Sequence, residues 1–268
     1  QVTGLVDSLP DTPGSNTALA AAAAVLRHAG AEFGVRMDID KQIPVSAGMG
    51  GSAASAVAAA AAVNALLESP YENRDLLAFA LEGEAVSADP PPWDNVMAAL
   101  LGGLVIAARL DPALIAPVPA PAGVTAILFH PEARTETAAA RSVLSNSAPM
   151  GTAVGHARRI SAFTLGCATG DRALMRAGLE DVLVEPQRAF LLPELPAVKA
   201  AALGAGALGC SFSGSGPSVF AWADDADADR VETAMADAFA AAGRPAWGYR
   251  APLTSDGVRL EQAPEAVP

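Results

Sequence analysis

The chain has 268 residues, 51% of them apolar, and carries a formal net charge of −12. That is enough chain and apolar content to bury the core of one large domain or two small ones. The 17 Lys and Arg are scattered, which excludes a nucleic-acid surface, because neutralising phosphates takes clustered basic residues.

Asn16 precedes an alanine-rich run to Gly30, the pattern of a capped helix closed by glycine. Residues 33–41 alternate, with Val35, Met37 and Ile39 on one side and Arg36, Asp38 and Asp40 on the other, which predicts a half-exposed strand. Small residues from 43 to 51 form a loop, and a second helix follows over 52–67. Its apolar stretch is interrupted by Ser55 and Asn64 and falls short of the ~20 residues of a membrane span. A third helix is expected over 74–86, ended by the prolines at 90–92.

Strands are expected at 104–109 and 124–130, joined by a proline-rich turn region over 112–121. A mostly helical stretch covers 135–205. Then come a strand (208–213), a glycine turn, a strand (218–223), a helix (227–242) and a short strand near Trp247. Strands and helices mix without strict alternation, so the class is α+β, with a domain boundary near residue 130. Cys167 and Cys210 lack CxxC spacing, and His28, His130 and His156 are isolated. Buried thiols in a reducing, cytoplasmic setting are expected, and a zinc site is not. No secretory leader is visible.

The segment Pro44-Val45-Ser46-Ala47-Gly48-Met49-Gly50-Gly51-Ser52-Ala53-Ala54 carries the most chemistry. Glycine permits positive φ and close approach to a phosphate, and a helix start offers free amides and the positive end of a dipole. Together they suit an anion, with Ser52 placed to donate to a phosphate or to ligate a cation. An ordinary loop in which Ser52 only caps the helix fits the same composition. The segment is neither a P-loop nor a Rossmann fingerprint, since Gly-Lys-Ser/Thr and G-x-G-x-x-G are both missing.

The spacing Pro-x-x-x-Gly-x-Gly-x-Ser-Ala-Ala resembles the nucleotide-binding motif of the GHMP kinases, with Met49 and Gly51 as mild departures. The stretch 211–220, with Gly214, Ser215 and Gly216, resembles the C-terminal glycine loop of the same family. The resemblance implies a GHMP kinase fold. Residues 1–130 would form a ribosomal-protein-S5-like ATP-binding domain lacking its first strand and motif, and 131–268 a ferredoxin-like domain. Three further stretches resemble the homoserine kinase branch: Gly83-Glu84 with Asp94-Asn95-Val96, Thr135-Glu136-Thr137 with Arg141, and Glu185-Pro186-Gln187-Arg188.

By that resemblance the cofactors are ATP and Mg²⁺ and the acceptor is L-homoserine. Pro44, Ser46, Ala47, Gly48, Met49, Gly50, Gly51, Ser52 and Ala53 bind the nucleotide, with Asn16 near the adenine. Ser52 and Glu84 hold the metal. Asn95, Arg141, Arg188, Gly214, Ser215 and Gly216 face the acceptor, two guanidinium groups suiting its carboxylate. Asp94 and Thr137 join Glu84 and Asn95 at the reacting centre, with no base assigned, and the family suggests a homodimer.

Two departures qualify the reading. Pro92 stands where that branch carries a substrate-binding histidine, and the branch's N-terminal Asn and Asp motif is not in the sequence, which starts at Gln1. If these residues were the whole molecule, weak or no activity would be expected. A GHMP kinase with another acceptor and a non-catalytic nucleotide-binding protein are the alternatives.

Overall fold

The computed structural model describes residues 1–6, 9–133, 137–254 and 256–261, and of residues 137 and 138 only the backbone. These residues fold into two compact units. The first comprises residues 1–45, 50–115 and 256–261, and the second comprises 46–49 and 116–254.

Four helices dominate the first unit: Thr17–His28 (α1), Gly51–Asn64 (α2), Leu76–Glu84 (α3) and Trp93–Leu101 (α4). Asn16 starts α1 by accepting from the amides of Ala18 and Leu19, while its own amide group donates to the Pro10 carbonyl at 2.7 Å. The alanines of α1 and α2 let the two helices approach closely, and both faces are buried with Val25, Val57 and Val63. Gly83 does the same for α3. A Cβ there would meet the Ala21 Cβ and the Thr17 carbonyl oxygen at 2.7 Å. That close approach seats the next residue, Glu84, inside the core with no exposed surface.

Strand pairing in this unit is limited to two short ribbons among the described residues. Val2–Gly4 (β1) runs parallel to Ile39–Lys41 (β2), and Leu104–Leu110 (β3) neighbours Ala113–Val118 (β4).

The second unit holds a four-stranded antiparallel sheet of Val124–Pro131 (β5), Gly209–Phe212 (β6), Val219–Asp224 (β7) and Ala246–Pro252 (β8), in the order β6-β7-β5-β8. Between β5 and β6 run Thr137–Ser142 (α5), Met150–Thr169 (α6), Arg172–Gly178 (α7), Glu185–Arg188 (α8) and Leu195–Gly204 (α9), and Ala228–Ala241 (α10) joins β7 to β8. Strand, helices, hairpin, helix, strand is the split β-α-β pattern of ferredoxin-like domains. Ile127 and Phe129 on β5 bury against Val198 on α9 and Met235 and Phe239 on α10, and the two phenyl centroids lie 5.9 Å apart.

Two expectations are corrected. Of the strand expected over 33–41 only Ile39–Lys41 pairs, its partner β1 being three residues long. The proline-rich stretch after Pro112 contains β4. The two compact units divide at 115/116, and β5 pairs with β7 and β8 within the second, where the sequence suggests a boundary near 130. Asp94 and Asn95 lie in the first turn of α4.

Phe239 is 1% exposed at the centre of the second core. Phe239→Ala should destabilise the protein by about 3–5 kcal/mol, read as a lower urea midpoint.

Candidate active site

In the first unit the site is built on the start of α2. Gly50 caps that helix at φ 67 with no side-chain cap bond, and no acidic residue sits in its first turn. The first amides of α2 therefore keep their donors and their positive dipole end unmet by the helix's own side chains. Ser52 is not the cap. It lies inside the first turn, and its hydroxyl donates to Glu84 Oε2 at 3.0 Å. Thr17 on α1 donates to the Ser52 carbonyl at 3.2 Å, which fixes this turn against α1.

The other carboxylate oxygen, Glu84 Oε1, is buried and has no hydrogen-bond partner among the described residues. Burial raises the Glu84 pKa above its ordinary value, and the Ser52 hydrogen bond and the Lys41 charge pull it only partly back. Lys41 is itself 6% exposed. Its ammonium donates to the Gly51 carbonyl and to Ser55 Oγ, the latter at 2.7 Å. Burial lowers the Lys41 pKa and Glu84 raises it.

An orphaned anionic oxygen beside a hydroxyl fits one hard cation, since magnesium takes oxygen ligands and is held by one or two protein groups plus substrate phosphates. Among the described residues no group of three or more His, Cys, Asp or Glu is placed to hold a metal ion by itself. Asn95 belongs to the same locality: a Cβ on Gly50 would lie 3.6 Å from its side-chain amide. Asp94 is exposed in the first turn of α4. Asn16 is 6% exposed and fully engaged as the α1 cap.

In the second unit, the glycine turn after β6 holds residues 47 and 48. The Ser218 amide donates to the Ala47 carbonyl at 3.3 Å, and the Ser213 hydroxyl donates to the Gly48 carbonyl at 2.8 Å. Ser46 (φ 56), Gly48 (φ 72) and Gly50 (φ 67) are left-handed, a conformation that occurs in backbone anion nests. Gly48 has no room for a side chain, because a Cβ would lie 2.6 Å from the Gly216 carbonyl oxygen. Gly214 and Gly216 also have positive φ, at 57 and 79.

Arg188 ends α8 and is 9% exposed. Its Nε donates to the Ala140 carbonyl at 2.9 Å and Nη1 to the Gly214 carbonyl at 3.3 Å. Burial lowers its pKa, Asp181 counters, and Arg141 on α5 lowers it further. Two guanidinium groups therefore share one field. Asp181 also accepts from the amides of Leu183, Val184 and Glu185, pinning the turn that carries α8. Glu185 is tied to Lys199 at 2.5 Å.

Within the first unit the expected residues Ser52, Glu84 and Asn95 gather about the α2 start, and within the second Gly48, Arg188 and Gly214 are linked by hydrogen bonds or close approach. Thr135 and Glu136, and the side chain of Thr137, lie outside the described residues. Lys41 was not anticipated, although a signal existed: it shares strand parity with Val35, Met37 and Ile39 and so belongs on the inward side.

Two family profiles match the chain: "GHMP kinases N terminal domain" over residues 16–103 and "GHMP kinases C terminal" over 163–241. A homoserine kinase of Xylella fastidiosa is 42% identical over 260 residues, covering 97% of this chain and 80% of that protein. One of Chlorobium phaeovibrioides is 37% identical over 268 residues, covering 97% and 84%. The crystal structure of a homoserine kinase from Cytophaga hutchinsonii superposes with a TM-score of 0.91 at 35% identity, covering 96% of this chain and 82% of that one. A mevalonate kinase of L. major, at 19% identity and a TM-score of 0.69 over 88% of this chain and 76% of that one, shares the fold.

The buried Glu84 gives a pH test that needs no metal. Its folded pKa lies above the unfolded value near 4.5, so the native state holds the proton more tightly and the stability this confers is lost as pH rises from about 4.5 through the folded pKa. Glu84→Gln should therefore gain Tm relative to wild type progressively over that rise in metal-free buffer, with the two curves converging on the acid side. A constant difference across pH would remove Glu84 from this role.

Proposed function

The chain belongs to the homoserine kinase family of the GHMP kinases, and from that premise we propose that it transfers the γ-phosphoryl group of ATP to the side-chain hydroxyl of L-homoserine. The product is O-phospho-L-homoserine, an intermediate on the way to threonine. In the transfer, the acceptor oxygen forms its bond to the γ-phosphorus as the bond to the β–γ bridging oxygen breaks. ADP leaves with that electron pair, and the proton of the acceptor hydroxyl passes to solvent. Such a transfer needs positioning and charge neutralisation more than covalent help.

The reading rests on one observation above the others: the start of α2, which lacks a side-chain cap bond, with the Ser52 hydroxyl and the orphaned Glu84 oxygen beside it. The amides of residues 48–52 cradle the phosphates, and Pro44, Ser46, Ala47 and Ala53 shape that loop. Ser52 and Glu84 hold Mg²⁺, which when bound supplies charge neutralisation on the phosphates. Lys41 draws the Glu84 pKa part of the way back down and adds positive charge close to the loop.

Asn95 orients the acceptor hydroxyl, and Asp94 and Thr137 are assigned to the reaction by the family resemblance alone. Arg141 and Arg188 take the acceptor's carboxylate, Gly214 and Ser215 offer backbone amides to it, and Gly216, whose own amide is bound to the Ser213 carbonyl at 2.9 Å, shapes the turn. Asn16 supports the adenine site by fixing the start of α1. No side chain is assigned as base, Asp94 being exposed at its helix start. The same reading makes the protein a cytoplasmic homodimer.

Pro92 at the cap of α4 offers no side-chain donor, which favours testing a second acceptor directly. A coupled ADP-release assay should show turnover with L-homoserine and none with mevalonate or galactose. The opposite selectivity would overturn the acceptor, and MgATP binding without any turnover would make the protein a nucleotide binder. In the same assay Arg188→Lys should raise the KM for homoserine roughly ten- to hundredfold, with little change in the KM for ATP, because a point charge cannot replace a two-pronged donor to a carboxylate.

A further inference from the structure

We propose that His130 is a positioning residue for the phosphate loop, acting through the buried hydroxyl of Ser218. The inference rests on the reading of residues 48–52 as a nucleotide cradle. His130 lies near the end of β5, and its Nδ1 is 3.1 Å from Ser218 Oγ. Ser218 has no exposed surface, so its hydroxyl depends on a protein partner, and a buried hydroxyl left without one is destabilising. The same residue's amide is what grips the Ala47 carbonyl at 3.3 Å. Its carbonyl accepts from the Ser213 amide at 2.8 Å, and Ser213 in turn grips the Gly48 carbonyl through its hydroxyl. Both bonds that hold the loop's carbonyls thus come from one glycine turn, and His130 secures the far end of that turn.

The ring is itself held. It pairs across the ladder with Trp247 on β8 and stacks on the indole at a centroid distance of 6.4 Å and an interplanar angle of 30°. Burial keeps its pKa below the ordinary value, so it is a neutral imidazole at neutral pH and can share the hydrogen bond without bringing a charge to the loop. His130 and Trp247 are on paired strands of one sheet, and β7, which begins at Val219, is the other neighbour of β5. The position of the loop amides is therefore referred to the rigid sheet rather than to the loop alone.

Three variants test this in the full chain: His130→Phe, which keeps the ring and removes the hydrogen bond, His130→Asn, which restores a polar atom near Nδ1, and Ser218→Ala. MgATP binding is measured by calorimetry, and the KM for ATP and for homoserine by the coupled assay. His130→Phe should weaken ATP binding by about five- to tenfold while changing the KM for homoserine by less than about twofold, and His130→Asn should recover most of the loss. In the double variant His130→Phe with Ser218→Ala, the losses should not add, because both remove one interaction.

Unchanged ATP affinity in His130→Phe and in Ser218→Ala would overturn the proposal. So would equal losses for both substrates, or a loss that His130→Asn does not recover, since each marks a general effect on stability. Should His130→Phe fail to fold, Ser218→Ala against wild type decides alone by the same split of the two KM values. Failure of the wild-type protein to bind MgATP would instead strike the cradle reading, and this inference would fall with it.

Discussion

A carboxylate oxygen in the core without a hydrogen bond is the constraint around which the first unit is arranged. Glu84 is placed there by Gly83, whose missing side chain lets α3 lie against α1. Ser52 satisfies one oxygen, and Lys41 supplies positive charge at the cost of its own desolvation. The remaining oxygen is left with a deficit that a cation would remove. Buried unpaired groups of this kind cost free energy in the resting protein, and they persist where a ligand completes them. The alanine-rich helices serve this arrangement. Small side chains bring three helices close enough for Thr17, Ser52 and Glu84 to meet at one level.

The loop proposed to hold phosphate meets a different demand, that of fixing a glycine-rich backbone in one conformation. Left to itself, a glycine-rich segment samples many conformations. Here two consecutive carbonyls are captured by the Ser213 hydroxyl and the Ser218 amide, and left-handed residues at 46, 48 and 50 alternate along the chain. The non-glycine at φ 56, Ser46, shows that the surrounding contacts determine the geometry rather than the intrinsic preference of the residue. Preorganisation of this sort lets backbone dipoles act on developing charge without reorganising at the moment of reaction.

Much of this was legible in the sequence wherever local chemistry and global fold agree. The glycine-to-helix junction near residue 50, the glycine turn at 214–216 and the closing helix α10 each carry signals that need no distant partner. The losses came where a partner decides. Residues 33–38 alternate like a strand, yet only 39–41 pair, because pairing extends no farther than its neighbour β1. Three prolines before Trp93 read as a break, whereas proline also suits a helix start, and α4 begins at once. Pro112 and Pro117 made β4 read as turn, although a strand with a single close neighbour tolerates proline. Lys41 was passed over because a lone lysine is usually solvated. Its parity with the apolar side of the strand was the available clue.

The arginines of the second unit bring an acceptor's charge into the same logic. Arg188 is nearly buried and stands within the field of Arg141, and both burial and that field lower its pKa, with Asp181 as the partial counterweight. Arg188 cannot relax by losing its proton, since a guanidinium stays charged at any ordinary pH. It instead directs donors to the Ala140 and Gly214 carbonyls, which relieves hydrogen bonding but not charge. An acceptor carboxylate bound as proposed would relieve both and accept in the planar geometry a guanidinium favours. A neutral acceptor of similar size would leave the mutual repulsion in place. On the proposed function, discrimination against acceptors without a carboxylate would therefore begin at this pair, before any contact to the acceptor's hydroxyl is made.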